Sequence, residues 1–166
     1  MKKQLLSLAL GLFTVLFATA QTTVSIQDIQ FVSASDLANC EDLSSYDGQT
    51  IKTVGRVVHD GGLTEVSSSG ARSFRPGVHI LDTAISTAGG FKGLQIHGVT
   101  DGGGGDRVDK VNELVAGMLV EVIGIVGNFS GETQLYPIDN NSVTVLSLGT
   151  TPTPDTITLD LLNDKI

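Results

Sequence analysis

The stretch Gly117-Met-Leu-Val-Glu-Val-Ile-Gly-Ile-Val-Gly-Asn-Phe-Ser-Gly-Glu-Thr-Gln-Leu135 decides the fold predicted for this chain of 166 residues. It is typical of a long strand that contains glycines, a tight turn at Ser130-Gly131 and a returning strand. A weaker copy of its first half lies about seventy residues upstream. The matched positions are Gly48, Ile51, Gly55 and Val57 in the copy and Gly117, Val120, Gly124 and Val126 in the stretch. Because a glycine inside a strand permits strong coiling, Gly55 and Gly124 predict two curved strands of one small closed barrel.

Alternating apolar residues predict three strands before the second glycine-containing strand, at Thr50–His59, Gly77–Asp82 and Gly93–Gly98. Successive side chains of a strand point to opposite faces, so each strand divides into an inward set and an outward set. The inward set is Ile51, Thr53, Gly55, Val57 and His59, then Val78 and Ile80, then Leu94 and Ile96. The outward set on the second and third strands is His79, Leu81, Gln95 and His97. Residues 63–76 are predicted to form a loop.

One helix is predicted, at Arg107–Ala116, with Asp106 as its N-cap and Gly117 as its C-terminal stop. Its apolar stripe is Val108, Val111, Leu114 and Val115. The return strand after the turn is interrupted near Asp139 and resumes over Ser142–Leu148. The predicted fold class is therefore all-β with one helix, namely a five-stranded Greek-key OB-fold barrel with the helix between strands three and four. A plain β-sandwich is the alternative, but it leaves the helix unexplained.

Residues 1–20 have the pattern of a signal peptide rather than of folded structure. Lys2 and Lys3 form the basic start, Leu5–Phe17 the apolar run, and Ala18-Thr19-Ala20 the cleavage site before Gln21. A membrane anchor is the alternative, but the apolar run is too short to span a bilayer. The sequence therefore predicts a secreted or cell-surface protein that does not insert into the membrane after cleavage near Ala20.

The mature chain is strongly acidic. Without Lys2 and Lys3 it carries 8 basic and 18 acidic residues, a net charge of −10. Such a surface repels polyphosphate as a whole and suits an extracellular protein. Cys40 is the only cysteine, so no intramolecular disulfide forms, and we expect a buried structural thiol.

Composition divides the mature chain into three parts. Residues 21–47 are predicted to be a leader strand, over Thr22–Val32, followed by an acidic loop packed on the barrel. The barrel itself is predicted at residues 48–148. Gly149–Pro154 has the composition of an interdomain linker, and the rest of 149–166 resembles the leader strand. Either this tail is frayed or, as we expect from the linker, a further domain starts there, in a multidomain protein of which this chain is the front part.

Four segments resemble OB-fold modules of secreted bacterial multidomain proteins. The opening is similar at Val24-Ser-Ile-Gln-Asp-Ile-Gln-Phe31, at Tyr46-Asp-Gly-Gln-Thr-Ile51 and at Gly55-Arg-Val-Val58. The closing hairpin is similar at Gly117–Leu135, where the family typically ends in glycine, a short spacer and Gln-Leu. The resemblance covers Val24 to about Leu148. It departs from the family where Val78 and His79 stand in place of an aromatic pair.

This resemblance implies a binding or spacer module rather than a particular ligand. Such modules accompany extracellular nucleases, phosphatases and other surface proteins, many of which leave by the type IX secretion route with a C-terminal sorting domain. No sorting domain is found in the chain, which agrees with a longer parent protein. The resemblance therefore implies a non-catalytic extracellular binding or spacer module. Its alternative is the N-terminal accessory, nucleic-acid-binding domain of an extracellular nuclease or phosphoesterase.

The candidate ligand face lies on the second and third predicted strands, as in other OB-folds. Residues 51–98 hold five basic and three acidic groups, so this face is predicted to be mildly basic on an acidic protein. The partner is then a single-stranded nucleic acid, a polysaccharide or a surface protein; solvated strand residues on a pure spacer are the alternative. The candidate binding residues are Arg72, Phe74, Arg75, His79, Leu81, Lys92, Gln95 and His97.

Metal and catalytic sites find little support in the sequence. His59 shares the inward register whereas His79 and His97 face outward, so the three histidines are not predicted to bind zinc together. Weak calcium candidates are Asp101, Asp106 and Asp109 around the glycine run. No Gly-x-Ser-x-Gly elbow and no HExxH motif is present. We therefore predict no cofactor and no enzymatic activity in this chain.

Overall fold

The computed structural model describes residues 21–63, 65–67, 74–83, 92–101 and 105–153. The predicted signal peptide and the predicted start of a further domain beyond residue 153 lie outside the described residues. Within the described ranges, no helix is long and apolar enough to cross a membrane.

Seven strands pair into one mixed sheet within the described ranges. They are β1 (Thr50–Val57), β2 (Glu65–Ser67), β3 (Phe74–Leu81), β4 (Gly93–His97), β5 (Leu119–Phe129), β6 (Glu132–Pro137) and β7 (Val143–Ser147). Most of them match the predicted strands within a few residues, because their burial alternates with period two. The predicted loop over 63–76 is wrong at residues 65–67, which form β2, and at residues 74–76, where β3 begins and pairs with β2; residues 68–73 lie outside the described residues. The pairing of β2 with β3 lies off the main path of the sheet. The sequence of β2 shows no clear alternation of apolar and polar residues.

Five strands close into a ring in the order β1-β3-β4-β6-β5, because β5 pairs with β1 as well as with β6. All neighbours in the ring are antiparallel except β4 and β6, which are parallel. β6 and β7 follow one another along the second edge of β5, β6 at its residues 124–129 and β7 at its residues 119–122. This arrangement, with a helix between β4 and β5, is consistent with an OB-like fold in the broad sense.

The turn between β5 and β6 lies at Ser130-Gly131, as predicted. Ser130 has φ 54° and Gly131 has φ 88°, and positive φ at both central residues is what a two-residue hairpin favours. The Asn128 side-chain carbonyl accepts a hydrogen bond from the Gly131 amide at 3.0 Å. The turn therefore sets the register of the hairpin, in which Phe129 faces Glu132.

The predicted leader strand is wrong: Thr22–Val32 forms a single bridge to β1 at Thr23 and then helix α1 (Ile26–Gln30). The Ser25 hydroxyl accepts from the Asp28 amide at 3.0 Å, which makes Ser25 an N-cap. Ile26 and Ile29, three residues apart, lie on one face and are fully buried. A second short helix, α2 (Ala34–Ala38), follows; the segment after it, which was predicted to be a loop, holds Cys40, which is exposed rather than buried.

The predicted helix before β5 is present but much shorter, as α3 (Asp109–Asn112). Asp106 is not its N-cap, because its backbone pairs with Thr100 instead: the Thr100 amide donates to the Asp106 carbonyl at 3.0 Å. Because of this pairing, the residues before α3 are in extended backbone, and the helix begins only at Asp109. Three of the four predicted stripe residues are buried, namely Val108, Val111 and Leu114, whereas Val115 is 47% exposed. The helix therefore contributes to the core with one turn, not with three.

Inside the ring, the buried residues are mainly those predicted from alternation. Ile51, Val57, Val78, Ile80, Leu94 and Ile96 are all buried. They meet the apolar side of α1 and the stripe of α3 in one continuous core. Because inward residues of β3, β4 and β6 fill this core, the intervening residues of the same strands form the opposite face.

Candidate binding site

The outer face of β3, β4 and β6 carries a row of polar side chains, and we call it the ligand face. In the strand register, His79 lies opposite Gln95, and Gln95 lies opposite Gln134. Neighbouring rungs pair Val78 with Ile96 and Ile96 with Leu135, all of which are buried in the core. His79, Gln95 and Gln134 therefore project together, away from the core.

A pocket of about 190 Å³ opens on this face. Its lining consists of side chains from four strands, namely Arg75, Gln95, His97, Phe129, Glu132, Gln134 and Tyr136. Phe129 is 62% exposed and forms an aromatic rim at the hairpin, whereas Tyr136 is buried. The pocket thus combines an aromatic edge with several planar polar groups, which is a common composition for a site that binds a polar ligand.

Hydrogen bonds hold the polar wall of the pocket in place. The Gln134 amide nitrogen donates to the Gln95 side-chain carbonyl and, at 3.2 Å, to a Glu132 carboxylate oxygen. The Tyr136 hydroxyl donates to the Gln134 side-chain carbonyl at 3.0 Å. Each partner fixes the rotamer of the next, so the wall is ordered before any ligand arrives.

Among the described residues that line the pocket, His97 alone is buried and has a side-chain polar atom without a hydrogen-bond partner. It is only 7% exposed, and its Nδ1 has no hydrogen-bond partner. The ring meets the Tyr136 ring edge-on, with centroids 5.7 Å apart. Burial, and next the Arg75 guanidinium, lower the pKa of His97, so the ring is neutral near pH 7. An unsatisfied buried nitrogen costs about 1–3 kcal/mol, which a ligand that reaches it would recover.

His59 was predicted to share the inward register of the first strand, and this prediction is wrong. It follows the end of β1, and its Nε2 lies 3.0 Å from Nδ1 of His79. The alternation of β1 ends with the strand at Val57, so it cannot be extended two residues to His59. On the other side of the pair, His79 Nε2 lies 3.8 Å from a Glu132 carboxylate oxygen. Burial, and next the neighbouring His59, lower the pKa of His79.

The predicted binding residues separate into groups. Arg75, Gln95 and His97 line the pocket, and His79 lies next to them beside Glu132. Leu81 lies six residues from Arg75 at the far end of β3, about 20 Å away in extended backbone, where it borders a separate hollow near Arg56. The backbone carbonyl of Lys92 accepts from the Asp82 amide at the same end.

Two predicted residues are not placed in the pocket by the structure. Arg72 lies outside the described residues, and of Phe74 only the backbone is described, where it pairs with Ser67.

The hairpin of β5 and β6 supplies a part of the pocket that was not predicted from the sequence. Phe129, Glu132 and Gln134 belong to the stretch Gly117–Leu135, from which no binding residue was predicted, and Tyr136 directly follows it. The signal that could have found them is the spacing of Glu132, Gln134 and Tyr136, since residues two apart share one face of a strand. Placing that face beside β4 requires the parallel pairing of β4 and β6, which is not evident from local alternation.

The calcium candidates do not come together. The Asp101 carboxylate accepts from the Gly105 amide at 2.9 Å, and Asp109 pairs with Arg107 at 2.5 Å. Within the described part of the chain, no group of three or more histidine, cysteine, aspartate or glutamate residues could hold a metal ion. Asp101, Asp106 and Asp109 therefore do not form a common ligand set.

No protein-family model matches the chain, and no curated protein matches it. Among solved structures, the chain is similar to a putative nucleic acid-binding lipoprotein from Klebsiella pneumoniae, with 21% identity over 78% of this chain and 94% of that one and a TM-score of 0.48. It is also similar to part of a putative aspartyl-tRNA synthetase from Leishmania major, with 13% identity over 92% of this chain and 28% of that one and a TM-score of 0.45. At these scores neither similarity carries an argument about function, so the site is interpreted from its own geometry.

Proposed function

We propose that this chain is a non-catalytic binding module that holds a polar, largely uncharged ligand, such as a saccharide, in the pocket of the ligand face. The observation that carries the proposal is His97, which lines the pocket, is more than nine-tenths buried and has an Nδ1 without a hydrogen-bond partner. An unsatisfied buried polar atom costs free energy, and a ligand that hydrogen-bonds to it offsets that cost. The planar amides of Gln95 and Gln134 beside an aromatic rim suit hydroxyl-rich ligands.

Charge favours an uncharged ligand over a phosphate chain. Among the described residues that line the pocket, the guanidinium of Arg75 is matched by the carboxylate of Glu132. Among the described residues, then, the mildly basic character predicted for this face does not extend to the pocket. A pocket without an excess of basic groups disfavours a polyanion, whose affinity depends on neutralising phosphates with lysine and arginine.

A second candidate is the accessory, nucleic-acid-binding domain of an extracellular nuclease or phosphoesterase. It is supported by Arg75 in the pocket wall and by the exposed ring of Phe129, on which a base could stack. The two candidates differ in their response to salt. Nucleic-acid affinity falls steeply as salt rises, whereas binding of a neutral saccharide is nearly unchanged.

We expect Phe129→Ala to weaken ligand binding about tenfold, because stacking on an aromatic ring contributes about 1–3 kcal/mol. The measurement titrates the protein into neutral oligosaccharides (chitohexaose, cellohexaose, maltohexaose) and into a fluorescent oligothymidylate, at low and high salt. Phe31→Ala is the matched control, because Phe31 is 56% exposed and lies in the N-terminal segment after α1. Equal effects of both variants, or no saturable binding of any probe at high micromolar protein, would refute the proposed ligand face.

We also propose that the module is exported and is part of a longer surface protein, with its five-stranded ring forming an OB-fold barrel. The support is the basic, apolar and small-residue pattern of residues 1–20, the linker composition of Gly149–Pro154 and the resemblance to secreted modules, which extends to the type IX route. Intact-mass measurement of the exported protein is expected to give Gln21 as the first residue. Retention of Met1–Ala20 in the exported chain would contradict this prediction.

A further inference from the structure

Gly127 lies on the ligand face among the residues that line the pocket. It pairs with Gln134 of β6 and lies two residues before Phe129, and both of these side chains line the pocket. Because residues two apart share one face of a strand, a side chain at position 127 would project from the same face. Glycine therefore leaves room on β5 within this row of side chains.

The ring of Tyr136 occupies that room. Tyr136 lies on β6, the middle strand of the order β4-β6-β5. A Cβ atom at position 127 would lie 2.6 Å from Cε2 of Tyr136 and 3.3 Å from its Cδ2, so one edge of the ring lies directly over Gly127. The strand register pairs Tyr136 with Ile125, so the ring leans diagonally along β5 rather than over its own partner.

Two further contacts hold the ring over Gly127. The Tyr136 hydroxyl donates to the Gln134 side-chain carbonyl at 3.0 Å, and His97 of β4 meets the ring edge-on with centroids 5.7 Å apart. Tyr136 lines the pocket although it is only 5% exposed, so its ring is the floor of the pocket. A ring displaced from Gly127 would move toward His97 or outward. Either movement brings the ring into the pocket and takes space from a ligand.

We propose that Gly127 is a positioning residue of the pocket: because it has no side chain, the Tyr136 ring lies against β5, and the space above the ring stays free for one saccharide unit. This inference rests on the proposed function. The pocket has about 190 Å³, less than the roughly 300–1,000 Å³ of sites for drug-sized ligands, so little space can be lost. One methylene group more or less between a ligand and its pocket changes selectivity by about 10–200-fold.

The test is calorimetric titration of the mature chain and its variants with chitohexaose, cellohexaose and maltohexaose. Gly127→Ala is expected to bind at least about tenfold more weakly than the wild type, because the added methyl group moves the ring into the pocket. Gly93→Ala is the matched control and is expected to keep the wild-type affinity. Gly93 shares the face of Gln95 on β4, but a Cβ atom there meets only Leu81 Cδ2 at 3.8 Å.

A second measurement reports the position of the ring without any ligand. The chain has two tyrosines and no tryptophan, so Tyr46→Phe leaves Tyr136 as its only tyrosine and its main source of fluorescence. In this background, acrylamide quenching is expected to increase in Gly127→Ala, because the displaced ring is more exposed, and to stay unchanged in Gly93→Ala. A purely structural role of Gly127 would lower the stability of the chain without changing the quenching of the folded protein.

A third measurement uses the wild-type chain and does not depend on the folding of a variant. Nuclear Overhauser contacts are expected between the α-protons of Gly127 and the ring protons of Tyr136. Their absence, unchanged quenching in Gly127→Ala, or a saccharide affinity of Gly127→Ala equal to that of the wild type or of Gly93→Ala would overturn this inference and leave the proposed function standing. If the wild type binds none of the three hexaoses, the proposed function fails and this inference fails with it.

Discussion

Gly124→Ala is expected to lower the free energy of unfolding by about 3 kcal/mol, the upper part of the usual range for overpacking. A Cβ atom at position 124 would lie 2.5 Å from the backbone carbonyl oxygen of Tyr136 and 2.9 Å from Leu135 Cγ. The nearest atom belongs to the backbone of the paired strand β6, so it cannot move aside as a flexible side chain would. Relief requires β5 and β6 to separate, at the point where the ring of strands depends on their pairing.

The measurement is urea unfolding of the mature chain and its variants. Gly93→Ala is the matched control, because Gly93 also lies in a ring strand, yet a Cβ there meets only Leu81 Cδ2 at 3.8 Å. Filling such open space usually changes stability little or raises it by about 0.4–1 kcal/mol, through the unfolded chain. If both variants lose a similar amount of unfolding free energy, the loss comes from replacing glycine in a strand and not from the close approach of β6 to Gly124.

Ile26→Ala is expected to lower the free energy of unfolding by about 2–5 kcal/mol, the range for truncating a fully buried isoleucine. Ile26 lies on α1, in the segment that precedes the ring, and has no exposed surface. Its Cδ1 lies 3.0 Å from the position that a Cβ atom of Gly55 would occupy. The Ile26 side chain therefore fills the space over β1 that is open because Gly55 has no side chain. The N-terminal segment is thus part of the core and not an appendage.

Phe31→Ala is the control for this experiment, because Phe31 follows the same helix but is 56% exposed. A surface truncation of this kind usually changes stability by less than about 0.5 kcal/mol. If Ile26→Ala costs no more than Phe31→Ala, α1 does not pack on the ring in solution. Folding of a fragment that begins at residue 48 with unchanged stability would lead to the same conclusion.

The strands of the ring were predictable because one face of each is buried. In β1, every second residue from Ile51 to Val57 is buried, and this contrast is visible in the sequence as alternation. The turn at Ser130-Gly131 was predictable for a similar, local reason, since few residues accept positive φ. Alternation also put His79, Gln95 and His97 on one face without any knowledge of their neighbours.

The helices were harder to predict, because their limits depend on distant partners. Ile26 and Ile29 fit either an irregular strand or one helical turn, and the Ser25 cap favours the turn only once the core receives both isoleucines. Arg107–Ala116 has a good helical pattern, but pairing of Asp106 with Thr100 keeps its beginning extended. Tertiary contacts overrode local propensity in both segments.

By itself, the sequence determined most of the strands of the ring, the turn and the glycine-containing stretch Gly117–Leu135, since each depends on residues near one another in the chain. Only the tertiary structure decided that this stretch supplies three of the seven residues that line the pocket, through the parallel pairing of β4 with β6. It likewise decided that His59 meets His79 beside Glu132. The physical reason is that alternation gives the face on which a side chain lies, whereas the neighbours on that face come from strands that are distant in sequence.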